Sequence, residues 1–197
     1  MKKFLPFVWA CVLAVFSLVS SSCSNQESEK MYDTDMQEAI DIYNQGTEYT
    51  SAQEYEKAAE CYRIAADYGL DQAQFNLGRA YHSGHGVEQD YTQAAAWYYL
   101  AAIQGHPSAQ FALSLYYLSE LGVEQDNEMF FYWCQQSANQ GFADAQLFMS
   151  VCYLTGFEVE ADLGQSFEMF RKGIVQGNIG ERIKKLCSAF ALIFIYS

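Results

Sequence analysis

Residues Asp71–His106 read DQAQFNLGRAYHSGHGVEQDYTQAAAWYYLAAIQGH, and the chain repeats this stretch twice more in register. Pro107–Phe142 reads PSAQFALSLYYLSELGVEQDNEMFFYWCQQSANQGF and Ala143–Asn178 reads ADAQLFMSVCYLTGFEVEADLGQSFEMFRKGIVQGN, each 36 residues long. A fixed period of this length marks a stacked repeat, in which no unit buries its own apolar faces and each leans on the next. In the first copy Ala73, Leu77 and Tyr81 recur at four-residue spacing, as do Ala94, Tyr98 and Ala102. Each set makes one apolar stripe along a helix. Between them Ser83-Gly84-His85-Gly86 offers glycines that can end the first helix with a positive φ. Asp90, with Gln93 three residues on, supplies an N-cap for the second helix, and Asp126 and Asp162 return at the same place. Gly69, Gly105, Gly141 and Gly177, spaced 36 apart, are expected to close the second helix of each unit. Small Ala73, Ala94, Ala101 and Ala102 let the paired backbones approach closely.

The set Ala73, Leu77, Gly78, Tyr81, Gly84, Gly86, Val87, Asp90, Ala94, Trp97, Tyr98, Ala101, Ala102 and Gly105 resembles the Sel-one-like repeat, a cousin of the tetratricopeptide repeat. The later copies drift: Ser114 and Ser150 replace the helix glycine, and Glu120 and Glu158 the first and second loop glycines respectively. The resemblance implies an all-α, right-handed α-solenoid of stacked helical hairpins. It also implies a scaffold for protein complexes, and many proteins of that family are exported bacterial proteins.

Working outward, residues 1–22 read as an export signal, with Lys2 and Lys3 before an apolar run from Phe4 to Val19. Sixteen residues including Pro6 and Ser17 are short for a spanning helix. Cys23 follows Val19-Ser20-Ser21-Ser22, which resembles a lipoprotein cleavage site, although Ser20 stands where leucine is usual. The expected mature protein is a lipoprotein of a bacterial envelope, facing periplasm or exterior, with residues 23–34 as a lipidated tether; a simple secreted form is the alternative. A degenerate unit, 35–70, precedes the three copies, because Gly46, Ala58, Tyr62 and Ala65 keep the tetratricopeptide spacing with a loop four residues shorter. Four repeats are therefore expected: 35–70, 71–106, 107–142 and 143–178. In 179–197 Glu181 and Lys185 fall where alanine and leucine belong, and an almost wholly apolar run from Leu186 to Tyr196 follows. A divergent C-terminal capping helix is the expectation, with a shortened end as the alternative.

The chain has 197 residues, is 51% hydrophobic and carries a formal charge of −13; removing the signal takes two lysines and leaves −15. No Lys or Arg occurs between Arg79 and Arg171. Such a surface repels phosphate backbones, which excludes nucleic acid as a partner of the middle of the chain. Glu88, Glu124 and Glu160 with Asp90, Asp126 and Asp162 form a ridge read as capping and solubility. No HExxH and no paired CxxC is present, so His82 and His85 are not read as metal ligands, and no metal or cofactor is expected. Some members of the family that the repeats resemble have been described as β-lactamases, but no Ser-x-x-Lys occurs here, and an enzyme is not expected. Cys61, Cys134, Cys152 and Cys187 are read mainly as buried free thiols at aromatic positions. A disulfide between Cys134 and Cys152 is the one pairing offered beside that. Trp97 and Trp133 recur 36 apart and are assigned to packing.

The resemblance further implies that the first helix of each hairpin lines a concave surface through its second, fifth, ninth and twelfth positions. The fifth gives Phe75, Phe111 and Leu147, the ninth Arg79, Leu115 and Val151, and the twelfth His82, Leu118 and Leu154. Bare apolar surface of that extent asks for a cover. The reading is a monomeric adaptor that binds a peptide or helix of another protein there, oriented by Arg79 and His82. A second copy, or the chain's own Phe190–Tyr196 folded back, would cover the same face, and a core role for the fifth position competes with all three. A structural or self-associating spacer is the alternative function.

Overall fold

The two stripes of Asp71–His106 become a pair of antiparallel helices, and the period makes that pair the module of the whole chain. The computed structural model describes residues 35–176 and 179–196. The expected signal, Cys23 and Gly177 lie outside the described residues. Among those described there is no strand, and nine helices follow in order. They are α1 (35–51), α2 (Tyr55–Asp67), α3 (Asp71–Ser83), α4 (Tyr91–Ile103), α5 (Pro107–Ser119), α6 (Asn127–Asn139), α7 (Ala143–Thr155), α8 (Leu163–Ile174) and α9 (Ile179–Tyr196). Each helix from α2 to α8 packs on its predecessor or successor in sequence, which is the connectivity of an α-solenoid.

The caps fall where the period puts them. Asp90 Oδ1 accepts from the Thr92 and Gln93 amides at 2.8 and 3.0 Å, Asp126 from Met129 at 2.9 Å and Asp162 from Gln165 at 3.0 Å. Gly69, Gly105 and Gly141 turn the chain out of α2, α4 and α6 with φ of 92, 94 and 90°, a region that L residues avoid. Alanines seat the crossings: Ala73, Ala94, Ala101, Ala109 and Ala145 are wholly buried. The helix glycine of the first copy has a mechanical reason, since a Cβ on Gly78 would stand 2.8 Å from the Tyr98 ring. Where serine replaces it, as in Ser114, the opposing residue has shrunk from Tyr98 to Cys134.

A polar ladder, not read from the sequence, runs through the stack. Gln104 Nε2 donates to the Gly69 carbonyl at 3.0 Å and to Gln74 Oε1 at 2.8 Å. Gln140 repeats this on Gly105 and Gln110 at 2.9 and 2.7 Å, and Gln176 on Gly141 and Gln146 at 3.0 and 3.2 Å. Each buried partner glutamine then donates to a carbonyl of the preceding unit: Gln74 to Ala66, Gln110 to Ala102 and Gln146 to Ala138. The C-terminal ends of α2, α4 and α6 thus each have glutamine donors on their last carbonyls.

The regular stacking stops after α8. In the repeats the seat on the preceding hairpin is made by Ala73, Ala109 and Ala145 and by Leu77, Leu113 and Met149, all at most 1% exposed. In α9 the same positions are Glu181 and Lys185. Burying two charges there costs several kcal/mol each, so α9 rolls off that seat and packs mainly along α7 rather than α8. Its inward stripe is Leu186, Ala189 and Ile193, the last two essentially without exposure. Arg182 and Lys185 both pair with Asp144 at the start of α7. Phe190, Phe194 and Ile195 face outward, with Phe194 85% exposed. None of the described helices is long and apolar enough to cross a membrane.

Candidate functional site

The nine residues expected on the concave face divide sharply. Phe75, Phe111 and Leu115 are half-buried, while Arg79, His82 and Leu154 are exposed. Leu118, Leu147 and Val151, by contrast, are wholly or almost wholly buried, which corrects the expectation of an open apolar groove through the last two copies. The reason is twofold. Leu147 fills the close approach of α7 to α8, where a Cβ on Gly173 would stand 3.0 Å from its Cγ. Val151 and Leu118 belong to the buried cluster that α9 closes with Ala189 and Ile193. The chain's own C-terminal helix therefore occupies this face of α7, through Leu186, Ala189 and Ile193 rather than through the whole of Phe190–Tyr196. A shallow apolar cleft of about 270 Å³ remains beside it, between Leu154, Leu163, Phe167, Phe170 and Phe190.

The face is open along α3 and α5. Phe75 stacks on His106 at 4.7 Å and leans on Tyr98 at 5.8 Å, so half of its ring belongs to the packing between repeats. Phe111 sits likewise between Phe142 and Phe148, at 5.5 and 5.2 Å. The fifth position is thus part core and part surface. His106 caps α5, its Nδ1 accepting from the Ala109 amide at 3.2 Å, and burial holds its pKa below 6.5, against the opposing charge of Asp71.

At the first two repeats a groove of about 230 Å³ lies between α2 and α3. Arg79 enters it from α3, its guanidinium carbon 5.9 Å from the Phe75 ring. His82 Nδ1 and the Tyr116 hydroxyl are 2.7 Å apart, which fixes the ring. His85 stacks on Tyr55 at 4.7 Å. The Tyr62 hydroxyl lies 2.8 Å from that of Thr50. Burial pushes the Tyr62 phenol up, with the Thr50 hydrogen bond and the Arg79 charge pulling the other way. Of these wall residues Tyr55, Tyr62, Thr50 and His85 were not among those expected on the concave face. They come from α1, α2 and a loop, and no periodicity joins them.

Cys134 and Cys152 are buried in one cluster as free thiols, without the bridge offered as an option. Cys134 Sγ points to the Ala145 carbonyl at 3.7 Å, and burial drives its pKa well up. Burial pushes Cys152 up to about 12. Thiols held protonated are poor at forming disulfides. No group of His, Cys, Asp and Glu that could hold a metal occurs among the described residues.

The Sel1 repeat model matches residues 39–69, 71–106, 107–142 and 143–178, most of the chain. No curated protein matches. Among solved structures, c5321, a protective antigen of uropathogenic Escherichia coli strains with an SLR fold, is similar at a TM-score of 0.67 and 27% identity over 80% of this chain. A Sel1 repeat protein from Oxalobacter formigenes is similar at a TM-score of 0.61 and 34% identity over 71% of this chain. The matches span only 38% and 39% of those two proteins.

Proposed function

This chain belongs to the Sel1 repeat family, and on that premise we propose that it is a non-catalytic adaptor whose concave face holds a peptide or helix of another protein. Proteins built from these repeats are in general interaction scaffolds. The observation that carries the reading is α9 itself. Along α7 the face already accepts a helix, through an apolar stripe and a pair of cations on Asp144. The equivalent surface of α3 and α5, with Phe75, Phe111 and Leu115 beside Arg79 and His82, lies open for a partner segment in the same manner. In this reading a lipid on Cys23 tethers the adaptor to the bacterial envelope, and the acidic surface keeps nucleic acid away.

A benzophenone side chain placed at Leu115 should yield one dominant protein adduct in cells, and the same group at Tyr99, on α4, should not. Equal adducts at both positions, or none at either, would sink the concave-face reading. The tether has its own check: Cys23→Ala should move the chain out of the membrane fraction.

A second reading, self-association, rests on the apolar C-terminal end, where Leu163, Phe167 and Phe194 are 72%, 67% and 85% exposed. Sedimentation equilibrium separates the two, because the adaptor runs as a monomer and the spacer as a dimer.

A further inference from the structure

We propose that the groove between the first two repeats is a carboxylate site, built to take an acidic side chain or the free C-terminus of a partner peptide on Arg79. The inference rests on the concave-face reading and names the chemistry which that face selects.

Charge is the first argument. The chain carries 24 acids and 11 bases, and Arg79 is the only Lys or Arg from residue 64 to 170. Among the described residues Arg79 makes no salt bridge, nor does Arg171, and of these two exposed guanidinium groups Arg79 is the one that lines this groove. The groove it enters has no Asp or Glu in its lining.

Geometry is the second. The Arg79 guanidinium lies over the Phe75 ring at 5.9 Å, and its planar fork suits two parallel hydrogen bonds with a carboxylate. His85 borders the same space from the loop and Ser83 from the end of α3, and Asn76 lies one turn before Arg79 on α3. Ala58, Ala59 and Ala80 supply a short apolar floor. A volume of about 230 Å³ is below that of a drug-sized cavity. It suits one residue's side chain or one chain end. The open face along α5 then carries the rest of the peptide.

Three acetylated hexapeptides test this by nuclear magnetic resonance of the Arg79 Nε–H and the His82 and His85 ring protons. All share the frame Ala-Leu-X-Ala-Leu-Ala. One has Glu at X and an amidated end, one has Gln and a free carboxylate, and the third has Gln and an amide. At least one acidic peptide should shift these resonances saturably while the neutral one does not, and which of the two does so names the source. Arg79→Gln should weaken that binding roughly tenfold or more, the scale of one charged bidentate contact, with an unchanged melting temperature; Arg79→Lys should recover part of it. Equal shifts with the neutral peptide, no saturable shift with either acid, or full affinity in Arg79→Gln would each overturn the carboxylate site. If the Leu115 adduct persists in Arg79→Gln cells while the acid peptides fail to bind, the pocket is wrong and the adaptor stands. If adduct and binding are both absent, both are wrong.

Discussion

Two loop positions carry the clearest single-residue consequences. Gly122 lies so close to the start of α4 that a Cβ would stand 2.3 Å from the Tyr91 carbonyl carbon, at a φ of +67°. Gly86 meets Tyr55 in the same way, at 2.0 Å from its carbonyl oxygen. The third copy places Glu158 there, with φ +55°, and a cleft of about 460 Å³ lies between that loop, Asn127 and α9. Gly122→Ala should therefore cost about 2–4 kcal/mol from combined overpacking and backbone strain. Glu158→Gly should return about 1 kcal/mol, since a left-handed non-glycine residue is strained by that order. Urea unfolding of the two variants checks both signs. His106 gives a pH signature. Its folded pKa lies below the ordinary 6.5 because burial disfavours the cation. The unfolded chain thus binds the proton more readily, and stability rises with pH across that window. The contribution is full above about 6.5 and is lost as the pH falls through the lower folded value. His106→Asn keeps an N-cap acceptor and should flatten that acid-side loss relative to the parent in melting curves between about pH 5 and 7.

Among the elements, α9 departs furthest from expectation. Leu186–Tyr196 reads as an almost wholly apolar run, yet the helix is two-sided: Leu186, Ala189 and Ile193 go in, and Phe190, Phe194 and Ile195 stay out. Its anchorage is polar at one end, where Arg182 and Lys185 meet Asp144, whose side chain is 17% exposed. Asp144→Ala leaves two cations without their partner and should loosen α9 alone. Amide exchange across 179–196 should then accelerate about tenfold or more, an opening cost lowered by roughly 1–3 kcal/mol, while α3 to α6 exchange as before. Uniform acceleration along the chain would mean that α9 is not a separate unit. Thiol labelling offers an independent view of the same packing. Cys187 is exposed and Cys61 only partly buried, against the expectation of four buried thiols, so Cys187 should react with maleimide in the native protein, whereas buried Cys134 and Cys152 should react only after unfolding.

For the described stack as a whole, the first and last helices differ in their outer sides. Along α1 the residues Asp41, Gln45 and Glu48 face solvent as a polar outer side, the usual termination of a solenoid. The last hairpin carries Leu163 and Phe167 exposed on α8 and Val175 exposed just after it, with α9 drawn back over α7. Deleting 179–197 should bare Val151 and Leu118 as well. The shortened chain is expected to bind a hydrophobic dye and to sediment as larger species, with helicity otherwise kept. A monomer with no dye binding would show that α9 covers nothing that matters to solubility.

The period of 36, the Asp90, Asp126 and Asp162 caps and the small-residue crossings at Ala73, Ala101 and Ala102 were all legible in the sequence. They specify the α-solenoid because each acts within one turn of helix or between one hairpin and its neighbour, where spacing alone says which residues meet. The glutamine ladder recurs with the same period, in Gln74, Gln110 and Gln146 and in Gln104, Gln140 and Gln176, but the spacing does not say which carbonyls the amides meet. The fate of α9 and the shape of the groove were not. Charged Glu181 and Lys185 say only that this helix cannot take the regular seat. Where it goes instead depends on which distant surface offers both a bare apolar row and an unspent carboxylate, Val151 and Asp144. The groove around Arg79 depends likewise on Thr50, Tyr62 and His85, from three other segments. Such choices compare surfaces far apart in the chain, and only tertiary packing, which sets charge burial against apolar contact, decides them.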